Sequence, residues 1–407
     1  MERIWADVKQ TICGICSASC PAQVYVRNGE IVRVEASRQP GGSGYLCAKG
    51  HAGRGYLYRA DRVQTPLRRV GERGEGLFAP ITWDEAYREI AERLLPLKAE
   101  SGPESVAFYS GYSKWYRPLL HRLAHSFGSL NYGTESSSCF QSSMMAHLIN
   151  AGVYCRPDPQ NAELLIVWGG NPFHSTNFSG FALDDLKEKG LEVLYIDPRV
   201  TPYSRYADLQ LRPRAGTDGA LAHFFAQSLI AAGRADLPYI EKYVHGYPPY
   251  EAYVRDFSLE RAADLTGIAP RDLQAAADML IRRRRFTIAA SQTALTHHAN
   301  GMQGYRAVMA LGAITGNFDR EGGMIPLEYS RQSLNHPRLL TEEFIQETRP
   351  QNAKAKIGTE RFPLWSELID EFQTMDLGRQ ILEGTPYPVR AVVAFGLNVR
   401  MFPGNRR

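Results

Sequence analysis

The chain has 407 residues, 44% hydrophobic and 22% charged, which allows two or three domains at roughly 100–200 residues each. Its 47 Lys and Arg against 43 Asp and Glu leave a net charge of +4, too balanced to make nucleic acid the main partner. No apolar run approaches the roughly 18–20 residues of a membrane span, so direct insertion into a membrane is not expected.

In chain order, the opening MERIWADVKQ contains no apolar leader core and no twin arginine, so a cytoplasmic location is expected. Four of the six cysteines follow at once, Cys13, Cys16, Cys20 and Cys47, in the spacing C-x2-C-x3-C-x26-C. A close triplet of thiolates closed by one distant thiolate favours a [4Fe–4S] cluster. Structural zinc more often takes two paired knuckles, and zinc or incidental thiols remain the alternatives. Val24, Val26, Ile31 and Val34 around Asn28-Gly29 predict a hairpin, so a small β-rich domain should end near Ala60. Lys49 lies two residues after Cys47. Most lysines are simply solvated, but this one stands where two redox centres could meet.

Thr82 and Glu85 form a capping box ahead of Tyr87, Ile90, Ala91 and Leu94 at helical spacing. Ser105–Tyr109 predicts a short buried strand. Cys139 lies in Thr134–Phe140, and a lone cysteine is usually a small buried hydrophobe; Cys155 has no motif around it. Leu164–Trp168, a helix over Leu183–Lys189, and Leu191–Ile196 make a βαβ unit, the element of a parallel sheet. Helices follow from about Gly219 to Ala232 and from near Pro270, then a strand at Phe286–Ala290 and a helix at Met302–Ile314. The run Arg282–Arg285 reads as a solvated helix end. One echo stands out: Leu164–Trp168 runs into Gly169-Gly170-Asn171, and Ala391–Phe395 into Gly396-Leu397-Asn398. Glycine after a strand lets backbone N–H groups approach a phosphate, and two such turns suggest two similar ligands.

The sequence resembles the molybdopterin oxidoreductases of the dimethyl sulfoxide reductase family. The resemblance rests on the cysteine spacing, Leu46-Cys47-Ala48-Lys49-Gly50, Arg62-Val63 with Pro66-Leu67, and Ile81-Thr82-Trp83-Asp84-Glu85-Ala86. It continues through Trp168-Gly169-Gly170-Asn171-Pro172, Ile196-Asp197-Pro198-Arg199, Arg214-Ala215-Gly216-Thr217-Asp218 and Leu311-Gly312-Ala313-Ile314-Thr315-Gly316-Asn317. It implies a molybdenum or tungsten ion held by the dithiolenes of two pterin guanine dinucleotides. By resemblance, Trp168, Gly169, Gly170, Asn171, Asp197, Arg199, Gly216, Thr217 and Asp218 would hold one dinucleotide tail. Gly316, Asn317, Gly396 and Asn398 would help with pterin and tail binding, and His297 would approach the metal end. Cys139 would be the protein's ligand to the metal, with Ser136, Ser137 and Ser138 as alternatives. Lys49 would couple pterin to cluster.

The resemblance implies an α/β fold: a small β-rich iron–sulfur domain (1–60), then two α/β domains with mainly parallel sheets. One is discontinuous, 61–137 with 321–407; the other, 138–320, binds the dinucleotide. It also implies two-electron chemistry on a small oxyanion or sulfur-type substrate, with electrons relayed to an iron–sulfur partner subunit. Phe140 stands where the family's formate dehydrogenases carry histidine, which argues against formate. Ser17 stands where the acetylene-hydrating branch carries an acidic residue, which argues against hydration. The family's C-terminal barrel-like closing domain is absent from these 407 residues. The expectation is therefore an N-terminal part, not competent alone, with a complementing C-terminal polypeptide. The rivals are a hydratase-type lyase on the same scaffold and a non-catalytic cluster-binding fragment.

Overall fold

The computed structural model describes residues 7–16, 19–38, 46–112, 115–172, 183–327 and 349–397. It divides into two units, one of Met1–Glu135 with Arg331–Arg407 and one of Ser136–Ser330.

The first unit opens with an antiparallel three-stranded sheet in the order β1 (Asp7–Ile12), β2 (Pro21–Arg27) and β3 (Glu30–Ala36). Asn28 and Gly29 both take positive φ at the hairpin turn between β2 and β3, as an Asn-Gly hairpin requires. A short helix α1 (Ala48–His51) starts on Cys47. His51 Nδ1 lies 3.1 Å from Val34 O, which ties this helix to β3. The capping box forms as the sequence predicts: Thr82 caps α2 (Trp83–Ser101), its hydroxyl accepting from the Glu85 N–H. The apolar stripe of α2 is not covered by the described residues, since Tyr87 is 62% and Ile90 53% exposed.

Fully buried β4 (Val106–Ser110) follows, then α3 (Arg117–Phe127) and β5 (Tyr132–Thr134).

The second unit starts with α4 (Gln141–Ala151). Its sheet holds β6 (Leu164–Trp168), β7 (Glu192–Ile196), β8 (Leu209–Leu211) and, after helices α5 (Asp218–Ala231) and α6 (Pro270–Arg282), β9 (Phe286–Ala290). All pairings are parallel, in the order β8-β7-β6-β9. Every residue of β6 is buried, as a continuous apolar run between two covered faces demands. Leu273, Ala276, Ala277 and Leu280 of α6 are buried at helical spacing, which places that face on the core. Helix α7 (Gly301–Ile314) is also largely buried.

The chain then returns to the first unit, where β10 (Ala391–Phe395) pairs parallel with β4 in the order β10-β4-β5. Beside this sheet the fully buried Asp376 accepts from Arg379 Nε (2.9 Å) and Nη2 (2.7 Å) and from Arg361 Nη1 (2.7 Å). These bonds, those from Arg379 foremost, hold its carboxyl below the ordinary range. A depressed carboxyl stabilises the fold above its unfolded value of about 3.9 and loses that contribution as pH falls toward its folded value. Urea midpoints should therefore drop between pH 6 and pH 3, and Asp376→Asn should shrink that drop. An equal drop in the variant would remove Asp376 from the acid response.

Candidate cofactor and cluster sites

In the first unit Cys13, Cys16, Cys20 and Cys47 converge. The Cys13 N–H donates to Cys20 O (2.9 Å) and the Ser19 N–H to Cys16 O (3.4 Å), which curls the triplet loop on itself. Buried Cys20 and Leu46 pack with Cys13, Val34 and Ala36. Burial first, then the neighbouring Cys16, Cys13 and Cys47, push the Cys20 thiol up. Four thiolates so close repel one another, and a bound cationic centre removes that conflict. The Trp115 Nε1–H donates to Gly14 O (2.8 Å), which anchors the loop to the rest of its unit. Lys49 is exposed, on the short helix that begins at Cys47.

The carboxyl ends of β10, β4 and β5 form a second locus in the same unit. Gly396 takes φ +60° directly after β10, and the Gly111 N–H donates to Phe395 O (2.8 Å). A Cβ on Gly111 would stand 2.0 Å from Gly396 O, so two backbones meet where no side chain fits. Arg117 Nη2 donates to Gly111 O (3.0 Å) and pairs with Glu135. The Tyr116 hydroxyl is buried without a hydrogen-bond partner among the described residues. Sequence reasoning missed Gly111, Tyr116 and Arg117; the signal was a glycine two residues past the predicted strand at 105–109. Asn398 lies outside the described residues.

The second unit repeats the arrangement at the carboxyl ends of β6, β7 and β9. From β6 the chain passes outward to β7 and β8, then returns to β9 on the other side. That makes the β6/β9 border a switch point, the usual ligand crevice of an open parallel sheet. Gly169 stands there with φ +66°, and a Cβ on it would meet Leu295 at 2.8 Å. Gly169 and Gly396 thus share a positive φ directly after a parallel strand. Gly170 and Asn171 follow Gly169, and the loop beyond β9 supplies Ser291, whose N–H donates to Trp168 O (2.7 Å). The sequence reading did not single out Ser291. His297 lies exposed in the same loop. Gly216, with φ +83°, and Thr217 lead into α5, where Asp218 is the first helical residue.

Two predicted ligand contacts are also partners of one another. Trp168 is fully buried and its Nε1–H donates to Asp218 Oδ1 (2.7 Å). The indole therefore offers a ligand no surface; it aims a carboxylate. Asp197, 1% exposed, accepts from the Arg199 backbone N–H (2.8 Å), Nε (3.1 Å) and Nη2 (3.2 Å). Its buried carboxylate is held by Arg199, whose guanidinium stays exposed.

Gly316 and Asn317 are a correction. Gly316 closes α7 with φ +65°, and the Asn317 N–H reaches back to Gly312 O (2.8 Å), a helix-ending arrangement. Asn317 is fully buried; its Nδ2 donates to Thr315 Oγ1 (2.8 Å) and to Arg284 O (3.4 Å). Arg284 precedes β9, so this pair sits at the opposite end of the sheet from Gly169. The physical reason is that α7 runs antiparallel to the strands and carries its C-terminal glycine away from the crevice.

Cys139 is half-buried at the head of α4, and its N–H donates to Ser136 O (3.0 Å). The ring of the next residue, Phe140, lies 6.2 Å from that of Tyr154. The Tyr154 hydroxyl accepts from Gln292, neighbour to Ser291. A chain of contacts thus runs from the Cys139 segment to the loop beside Gly169. Cys155 has the opposite character, buried with its thiol pushed up to about 11 by that burial.

The family model described as molybdopterin oxidoreductase matches residues 62–375, and its Fe4S4 domain matches residues 6–59. The chain belongs to the molybdopterin oxidoreductase family. It is 28% identical over 403 residues to the thiosulfate reductase molybdopterin-containing subunit PhsA of Salmonella typhimurium, covering 94% of this chain and 51% of that one. It is 29% identical to the dimethyl sulfoxide reductase DmsA of Escherichia coli, covering 81% and 46%. The solved acetylene hydratase from Pelobacter acetylenicus superposes with a TM-score of 0.84 at 24% identity, over 96% of this chain and 57% of that one; at that identity the likeness speaks for the fold. The chain spans about half the length of the curated relatives it matches. With the family come a [4Fe–4S] cluster and a molybdenum or tungsten pterin cofactor. The thiol quartet suits the first by its donor chemistry, and a glycine turn of positive φ at the carboxyl end of a parallel strand in each unit suits the second. Among the described residues, no helix is long and apolar enough to cross a membrane.

Proposed function

We propose that this chain is the N-terminal part of a bis-pterin guanine dinucleotide oxidoreductase acting on a small sulfur-centred or oxyanion substrate. The observation that carries this reading is the link within one unit from Cys139 through Phe140, Tyr154 and Gln292 to the Gly169 crevice. That link supports a place for the soft Cys139 thiol near where a dinucleotide tail would enter. When bound, the cofactor supplies two-electron exchange with substrate. The chain's own residues hold and orient it: Gly169, Gly170, Asn171, Gly216 and Thr217 by close backbone approach, and Asp218 as a carboxylate aimed by Trp168. Gly111 and Gly396 form the matching turn of the other sheet. Cys139 is the protein's ligand to the metal, because thiolate is the softest donor in its segment.

The relatives' names, thiosulfate reductase and dimethyl sulfoxide reductase, support the substrate class. Cleaving an S–S or S–O bond reductively takes two electrons and two protons. Phe140, with no proton to give, does not suit the formate chemistry of the family's histidine-bearing members. Cys13, Cys16, Cys20 and Cys47 would hold a cluster that supplies one-electron transfer, with Lys49 on the helix that begins at Cys47 and an iron–sulfur subunit as partner. The division into 1–60, 61–137 with 321–407, and 138–320 belongs to the same reading.

The test is metal-edge X-ray absorption with a viologen-linked reduction assay on the cofactor-loaded protein. One sulfur beyond those of the dithiolenes is expected, and Cys139→Ala should remove it together with turnover. An unchanged spectrum in the variant would move the ligand to a neighbouring serine. Turnover without any change of metal redox state would overturn the oxidoreductase reading.

A further inference from the structure

Helix α3 carries His121 and His125, a spacing that sets both imidazoles on one helix face. Both residues are buried, 7% and 4% exposed. The His121 ring stacks on Tyr132 at 4.2 Å and meets the His125 ring edge-on at 4.6 Å. Facing them is Asp370, from a distant part of the sequence. Its segment is held beside β5 by the Phe372 N–H donating to Tyr132 O (2.8 Å). One donor atom from each of the three residues lies within 4.8 Å of the other two. His121 Nε2 is 3.8 Å from Asp370 Oδ2, too long for a hydrogen bond. His121 Nε2 and His125 Nδ1 are both buried without a hydrogen-bond partner among the described residues. Buried polar atoms are normally paired, so two orphaned ring nitrogens beside a carboxylate need an account.

We propose that His121, His125 and Asp370 bind one divalent transition-metal ion of the zinc class, which ties the segment around Asp370 to α3. Imidazole nitrogen and carboxylate oxygen are ordinary donors for such an ion, and three protein donors leave the fourth place to water. Bonds of about 2.0–2.1 Å set tetrahedral donors roughly 3.3–3.5 Å apart. The 3.8 Å separation therefore needs to contract by only a few tenths of an ångström. Both imidazoles are held neutral, the form that ligates: burial pushes His121 down to about 3 and lowers His125 as well. Two cations oppose the ion. Lys356 Nζ lies 3.8 Å from Asp370 Oδ1, and Arg349 acts on both imidazoles. Lys356 is itself held by Ser366 O (3.2 Å) and Ile369 O (2.8 Å), which turns it to the other carboxylate oxygen and leaves Oδ2 to the ion.

The experiment is equilibrium dialysis of the 407-residue chain, purified anaerobically, against micromolar Zn2+. Zinc and iron are counted by mass spectrometry, and the zinc environment is read at its absorption edge. One zinc per chain is expected with nitrogen and oxygen neighbours at about 2.0–2.1 Å, distinguishable from sulfur at about 2.3 Å should zinc also enter the cysteine loop. His121→Ala and His125→Ala should each abolish this nitrogen-bound zinc. Asp370→Asn alters a residue whose side chain is 41% exposed, so it keeps the fold and decides the matter. It should weaken binding about tenfold or more, since even outer partners of a metal site are worth 10–100-fold. Zinc found only on sulfur, no nitrogen-bound zinc, or unchanged affinity in Asp370→Asn would each overturn the proposal.

Discussion

Replacing Cys47 with serine is expected to strip iron from the protein, from about four atoms per chain to a fraction of that. The triplet Cys13, Cys16 and Cys20 lies on one loop, whereas Cys47 comes from the start of α1 and alone closes the fourth corner. A serine oxygen is a hard donor with little affinity for iron in a sulfide cube. Iron analysis and electron paramagnetic resonance of the reduced, anaerobic protein read the result. Cys155→Ser is the control, since that thiol is buried and pushed up to about 11; it should leave iron unchanged. Iron retained in full in Cys47→Ser, or stoichiometric zinc in place of iron in the unaltered chain, would refute the cluster assignment to this quartet.

Trp168→Ala should lower the stability of the second unit by about 3–5 kcal/mol. The indole is fully buried at the end of β6, so removing it opens a cavity in a core that packs on both faces of the sheet. Trp168→Phe keeps most of the burial but leaves Asp218 without its 2.7 Å donor, at a cost of about 1–3 kcal/mol. Urea unfolding of the two variants separates these contributions. A ligand-contacting tryptophan predicts the reverse, cofactor loss with the fold unharmed. Less than about 1 kcal/mol lost in Trp168→Ala would contradict the burial argument.

Much of this protein is legible without coordinates. The continuous apolar run Leu164–Trp168 has no polar face to show water, so it had to be a covered strand of a parallel sheet. Thr82 and Glu85 named their helix start because capping is a contact over three residues. The cysteine spacing spoke for a cluster because three of its four donors share one short loop. Each of these signals is local: periodicity, caps and turns act within a few residues, and the sequence carries them openly.

What only the tertiary structure decided are relations across the chain. Gly316-Asn317 looks in sequence like a third glycine turn for a ligand, yet it ends a helix that runs opposite to the strands and finishes at the far edge of the sheet. Trp168 and Asp218 read as two contacts to one ligand, but a hydrogen bond joins them and takes the indole out of reach. Arg282–Arg285 reads as a solvated helix end and stays largely exposed, but only the fold supplies its partners: Arg283 Nε donates to Glu192 Oε2 (3.0 Å), and the Arg284 and Arg285 N–H groups donate to Glu163 Oε2 (3.0 and 3.2 Å). His121, His125 and Asp370 share no motif, because an aspartate so distant in sequence meets the histidines only when its segment lies down beside β5. The physical reason is common to all four. Which face a side chain meets depends on helix direction, strand order and long-range pairing, and those are set by burial of the whole core rather than by any short stretch of residues.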